Sequence, residues 1–216
     1  DIQYMCGFAG FVGEVENREQ VLENMIDTII HRGPDSSGKF VDEDAALGFR
    51  RLSIIDLSES GDQPLYNEDR SKVLVFNGEI YNYQELREEL IQAGHTFVSN
   101  TDSETLIHGY EQWGEELVYR LRGMYAFAIW DQKAKRLFSA RDIFGIKPLY
   151  YAQMNGTLMF GSEIKSFLEH PKFDKVFNED ALGNYLSFQF VPTNETFFKG
   201  VFCVPVSYTH LTLPTI

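Results

Sequence analysis

The grouping of the apolar runs constrains this chain more than any other feature. Met124–Trp130, Leu137–Arg141, Pro148–Tyr151 and Leu158–Phe160 read as short strands in succession, separated by polar or glycine-containing turns. Earlier, Gly7–Val12, Ala46–Phe49 and Val73–Phe76 are strand-like. Between Arg18 and Ile30 apolar residues recur helically at Val21, Leu22, Met25, Ile26, Ile29 and Ile30, and His31-Arg32-Gly33-Pro34 ends that helix. Asn82 and Glu85 form a capping-box-like start for a helix carrying Leu86, Leu90 and Ile91 and closed by Gly94. Further helical patterns lie near Ser103–Trp113, Ile164–Leu168 and Glu179–Phe188. Strands and helices that come in groups, rather than in strict βαβα alternation, favour a two-sheet sandwich between helical layers. No internal repeat breaks the chain into modules.

At 216 residues the chain can hide roughly 70% of its extended surface, enough for a core without disulfide or metal staples. Its 19 Lys and Arg stand against 32 Asp and Glu, a formal charge of −13. Without a basic footprint, neither nucleic acid nor an anionic membrane is expected as a partner. There is no apolar run of about 18 residues and no charged n-region followed by an apolar h-region, so a cytoplasmic protein is expected. Cys6 and Cys203 suggest no disulfide framework, and the histidines make no metal-ligand spacing with them. Phosphate-loop, dinucleotide and His-Glu-x-x-His motifs are missing, so no cofactor and no metal site is expected in this stretch.

The ends read differently from the middle. Residues 1–5 are expected to be a non-native or removed leader, with Met5 the native start and Cys6 the first residue after its removal. The uncharged stretch 206–216 resembles a translated sequencing adaptor and is set aside as an artefactual tail, a terminal strand being the alternative.

If Cys6 becomes residue one, a thiol and its own α-amine stand together. A free α-amine titrates at about 7.7–8.0, so it can take the thiol proton near neutrality without a histidine. A cysteine near a start codon can equally be a small buried hydrophobe. Asn77-Gly78 offers a side-chain amide and a backbone N–H to a developing oxyanion, or forms a plain turn. Arg51 and Asp102 suit the α-carboxylate and α-ammonium of an amino acid; Arg51 could also be half of a solvated pair with Arg50, and Asp102 a helix cap. His31, before a Gly-Pro turn, is read as structural.

Together these residues resemble a known family. Met5-Cys6-Gly7, His31-Arg32-Gly33-Pro34-Asp35, Arg51-Leu52-Ser53-Ile54, Gln63-Pro64-Leu65, Asn77-Gly78-Glu79-Ile80-Tyr81-Asn82, Thr101-Asp102-Ser103-Glu104 and Arg141-Asp142-x-x-Gly145-x-Lys147-Pro148-Leu149-Tyr150 occur in that order. The set looks like the class II glutamine amidotransferase domain of glutamine-hydrolysing asparagine synthetases, over about Met5 to Pro205. The resemblance implies an α+β fold of the N-terminal nucleophile hydrolase type, a four-layer αββα sandwich of two antiparallel sheets. It implies that Cys6 attacks the glutamine side-chain amide with its α-amine as base, and that Asn77 and Gly78 form the oxyanion hole. Arg51 would hold the α-carboxylate and Asp102 the α-ammonium, with Ile54 and Glu79 lining the pocket.

The resemblance also implies an amidotransferase domain over 6–187 and, over 188–205, the start of a linker toward a C-terminal synthetase domain missing from this sequence. That domain would bring ATP and Mg, and the full-length form would be a homodimer. Alternatives are a relative with a different acceptor and a non-catalytic glutamine-binding module. With residues 1–5 ahead of Cys6 the chain is expected to be inactive until processed.

Overall fold

The computed structural model describes residues 5–52, 62–205 and, for the backbone only, 210–214. In chain order the elements are β1 (Gly7–Val12), α1 (Arg18–Asp27), β2 (Ser36–Val41), β3 (Ala45–Arg51), β4 (Leu65–Tyr66), β5 (Lys72–Ile80), α2 (Tyr83–Gln92) and α3 (Asp102–Trp113). There follow β6 (Gly123–Asp131), β7 (Arg136–Arg141), β8 (Tyr150–Met154), β9 (Thr157–Gly161), α4 (Glu179–Phe188), β10 (Val201–Cys203) and β11 (His210–Pro214). One sheet has the order β10-β8-β9-β1-β3-β2 and the other β11-β7-β6-β5-β4. Every strand pairing in both is antiparallel.

Strand alternation builds the layers. Phe8, Leu47 and Phe49 of the first sheet meet Val73, Val75, Ala128 and Trp130 of the second in a shared inner core. The intervening residues point outward. Ala9, Phe11 and Ala46 pack under Leu22, Met25 and Ile26 of α1 and under Phe167. Leu74 and Phe76 pack under Leu86 of α2 and Leu106, Ile107 and Tyr110 of α3. Both faces of each sheet are therefore covered, which is why the central strands read as continuous apolar runs rather than as alternating ones. Each fully buried large side chain here contributes about 1.5–3 kcal/mol relative to exposure. Trp130 satisfies its only polar group with a bond from Nε1 to Asp42 Oδ2 of 2.7 Å.

Four local expectations change. The first helix stops at Asp27 rather than Ile30, because Ile29 reaches the same core from a turn while Ile30 is exposed. Asn82 does not cap α2 through its side chain. Its Oδ1 accepts from Arg122 N and its Nδ2 donates to Arg120 O, both at 2.9 Å, so tertiary partners replace the local bond. Ile164–Glu169 is a 3₁₀ turn rather than an α-helix. Finally, β5 continues through Asn77-Gly78 to Ile80, so that pair lies inside a strand and not at its end.

Residues 210–214 pair with β7, and β10 extends the first sheet through β8. Among the described residues no helix is long and apolar enough to cross a membrane.

Candidate active site

Register brings the candidate residues together. Gly7 pairs with Arg50 across β1 and β3, so Cys6 and Arg51, one step outward, stand side by side at the same end of the sheet. Phe8 and Phe49 point into the inner core, and a period of two puts Cys6 and Arg51 on that inner face as well. In the facing sheet Val73 and Val75 point inward, so Asn77 and Glu79 do too. β1 and β5 contact one another across the sandwich. A thiol, a guanidinium, an amide and a carboxylate from two sheets thus share one end of the space between them.

Cys6 packs against the inner core. The Leu52 N–H points to its Sγ at 3.4 Å, and Sγ lies 3.7 Å from Leu52 O. The fork of Arg32 holds the Cys6 carbonyl through Nε and a terminal nitrogen, both at 3.2 Å. Arg32 is itself buried and braced by Glu163 Oε1 at 3.1 Å. Burial raises the pKa of Glu163, yet bonds from Arg32, His31 and Lys165 outweigh it and hold the carboxyl below its usual range. His31 faces the exposed side of this cluster, with Nε2 2.9 Å from Glu163 Oε1.

The β5 edge supplies the other half. Phe76 N–H is taken by Gln63 Oε1 at 2.6 Å, and Gln63 Nε2 returns a bond to Phe76 O at 3.1 Å. Ile80 N–H is taken by Asp102 Oδ2 at 2.8 Å. Because N–H groups alternate along a strand, Gly78 N–H lies on the same edge, between these two satisfied donors. The glycine is required by close approach: a Cβ there would sit 2.2 Å from Met124 O of β6. Beside it, Asn77 is buried and its Nδ2 has no hydrogen-bond partner among the described residues. A buried orphan donor costs stability, and such groups are characteristic of sites that await a ligand.

At the same end of the sheets, Arg51 holds Asp62 at 2.7 Å. Asp102 is the first residue of α3, and burial, with the charge of Glu79 adding to it, raises its pKa despite the N–H groups it accepts. A cation placed there would be drawn to both carboxylates. Glu79 is exposed at the rim. Ile54 lies outside the described residues.

Two further residues belong to this end. Arg32 was read as part of a helix-ending turn and of a motif quoted for the resemblance, without a role of its own, and its grip on Cys6 O depends on a contact 26 residues away in sequence. Lys147 is buried, with Nζ 2.8 Å from Met5 Sδ. Burial, helped by the nearby charge of Arg32, lowers its pKa, although Cys6, Asp142 and Glu79 pull it upward. The fully buried Asp142 shapes the turn that presents it, accepting N–H bonds from Phe144, Ile146 and Lys147. Arg141 clamps the same turn at Gly145 O and Lys147 O. The Arg-Asp-x-x-Gly-x-Lys motif, quoted for the resemblance, could have pointed to this lysine.

Comparison with known proteins decides the family: residues 5–213 match the model of the glutamine amidotransferase domain. This chain belongs to the glutamine amidotransferase domain family. The amidotransferase chain is 48% identical over 197 residues to asparagine synthetase [glutamine-hydrolyzing] 1 of Bacillus subtilis (strain 168), covering 89% of this chain and 31% of that protein. It is 44% identical over 167 residues to asparagine synthetase [glutamine-hydrolyzing] of Zea mays, covering 75% of this chain and 28% of that one. The chain therefore spans about a third of the length of these curated relatives. Among solved structures, glutamine phosphoribosylpyrophosphate amidotransferase of B. subtilis shares the fold, with a TM-score of 0.64, 22% identity, and coverage of 75% of this chain and 43% of that one. The four-layer sandwich of this amidotransferase domain is the architecture expected from its sequence.

Proposed function

We propose that this domain hydrolyses glutamine at Cys6 and supplies the ammonia to a synthetase domain carried elsewhere in the full-length protein. The observation that carries the reading is the pair of donors on β5: the Asn77 amide, without a partner among the described residues and on the face turned to the sheet that holds Cys6, and the Gly78 N–H on the strand edge beside it.

Once Cys6 bears a free α-amine, that amine accepts the thiol proton and Sγ attacks the side-chain amide carbon of glutamine, forming the C–S bond. The carbonyl oxygen becomes an oxyanion held by Asn77 Nδ2–H and Gly78 N–H. The ammonium of Cys6 returns its proton to the amide nitrogen, the C–N bond breaks and ammonia leaves. Water then attacks the thioester, releasing glutamate and restoring the thiol. Arg51 binds the α-carboxylate, which takes the place of Asp62, and Asp102 with Glu79 binds the α-ammonium. Arg32 positions the nucleophile by fixing its carbonyl.

The names of the curated relatives, glutamine-hydrolysing asparagine synthetases, support the making of asparagine, with aspartate as the acceptor, as the use of that ammonia in the whole protein. The test is glutamate release from glutamine by a chain processed to begin at Cys6, beside its Cys6→Ala variant. Release that depends on Cys6 is the expected result. Equal release by both proteins refutes the assignment. Glutamine binding without turnover in the processed wild-type chain would favour a sensing module.

A further inference from the structure

On the far face of the second sheet, away from Cys6, four residues with metal-ligating side chains converge. His95 follows α2, His108 and Glu111 lie one turn apart on α3, and Glu68 belongs to the loop between β4 and β5. Glu111 Oε2 is 3.2 Å from His108 Nδ1 and 3.8 Å from His95 Nδ1. Glu68 Oε1 is 3.8 Å from His108 Nδ1. One ligating atom each from His95, His108 and Glu111 lies within 4.8 Å of the others. Zinc bonds of about 2.0–2.2 Å arranged tetrahedrally put neighbouring donor atoms about 3.3–3.5 Å apart, so these separations need only small side-chain adjustments to close on an ion.

We propose that His95, His108 and Glu111 form a three-ligand binding site for a divalent transition metal of the zinc class, with the exposed Glu68 carboxylate, 3.8 Å from His108 Nδ1, near enough to swing in as a fourth ligand. The second contacts of each ligand support this. His95 Nε2 is 3.1 Å from Gln112 Oε1, and His108 Nε2 is 3.6 Å from Glu104 Oε1. Glu111 Oε2 is within hydrogen-bond distance of His108 Nδ1, and the ligating atoms of His95, His108 and Glu111 gather at one point. The other oxygen of Glu111, Oε1, accepts from Asn67 Nδ2 at 2.7 Å, which orients the carboxylate. Phe97 packs edge-on against His108 with ring centres 4.7 Å apart and shields one side, whereas the side chain of His95 is partly exposed and leaves an approach. Mixed imidazole and carboxylate ligands suit Zn²⁺ better than Mg²⁺ or Ca²⁺. The sequence carries no spacing signal for such a site, because the fold brings His95 and Glu68 to α3.

Metal-stripped chain in a Cys6→Ser background, which removes chelation by a terminal thiol and amine, would be titrated with Zn²⁺ against a chromophoric chelator and with Co²⁺ by visible absorption. One Zn²⁺ per chain, binding at micromolar concentration or tighter, and a tetrahedral Co²⁺ spectrum are expected. His95→Ala should weaken binding by about 100-fold and abolish the spectrum, while His31→Ala, remote from the cluster, leaves both unchanged. His108 is buried, so the partly exposed His95 keeps the test sound if a His108 variant fails to fold. No stoichiometric binding by the parent chain, or equal binding by the parent and His95→Ala, overturns the proposal.

Discussion

Asp102 Oδ2 accepts the Ile80 N–H at 2.8 Å, tying the first residue of α3 to the last residue of β5. The bond aligns a carboxylate with the strand edge that carries Gly78. In the proposed function this side chain has two tasks that can be separated, since the N–H bond needs only an acceptor while binding an ammonium needs charge. Asp102→Asn keeps an acceptor and loses the charge. A charge-assisted contact is worth about 1.5–3 kcal/mol, so KM for glutamine should rise ~10- to 100-fold with kcat changed only a few-fold. Burial raises the pKa of this carboxyl, so the wild-type KM should climb as pH falls through an inflection above the ordinary carboxylate range. The Asn variant should lack that inflection; steady-state kinetics from pH 4 to 8 checks both.

Asn77 and Gly78 should separate in their effects on stability. Asn77→Ala removes a buried donor that has no partner among the described residues, so kcat should fall about 10²- to 10³-fold with little change in Tm. Gly78→Ala forces a methyl group against Met124 O and should lower both activity and Tm, at a cost of ~1–3 kcal/mol. Thermal unfolding beside glutamate assays distinguishes the two.

Lys147 brings a buried cation to the Cys6 end of the candidate site. A fixed positive charge there stabilises the negative charge that develops on an attacking sulfur. Lys147→Met should slow alkylation of Cys6 by iodoacetamide severalfold at neutral pH, and added salt should slow the wild type less than it would at an exposed ion pair. Mass spectrometry of the alkylated chain gives the rate directly.

His170 provides a stability test away from the site. It is buried, its Nδ1 accepts from Lys172 N at 3.2 Å, and its Nε2 has no partner among the described residues. Burial, with a smaller push from Lys172, lowers its pKa to about 4. As pH falls below about 6.5 the unfolded chain takes up a proton that the folded chain refuses, so stability declines until the folded ring also protonates near pH 4. The loss across that window should be roughly 3 kcal/mol, measurable by denaturant unfolding at several pH values. His170→Phe should flatten this part of the profile.

Much of the fold was legible because burial leaves a period in the sequence. Gly7–Val12 and Glu179–Phe188 have the bounds their patterns suggest. The edge strand β2 went unread because Ser36–Val41 is exposed or half-buried and carries no apolar alternation. Asn82 shows the converse failure: its sequence signals a cap, and its side chain spends both hydrogen-bonding groups on the loop at Arg120–Arg122.

The sequence by itself determined the chemistry available: a cysteine that can become a terminal nucleophile, an Asn-Gly pair, a guanidinium and a carboxylate, in an order that marks the family. Residue types and spacing are local properties, and they survive in a one-dimensional string. Only the tertiary structure decided that Cys6 and Arg51 stand side by side, that Asn77 faces them from another sheet, and that Arg32 and Lys147 complete that end of the site. Those relations depend on strand register and on which face each strand turns to the shared core. Both are set by burying the two apolar sheet faces against each other, a cooperative outcome of the whole chain that no single segment encodes.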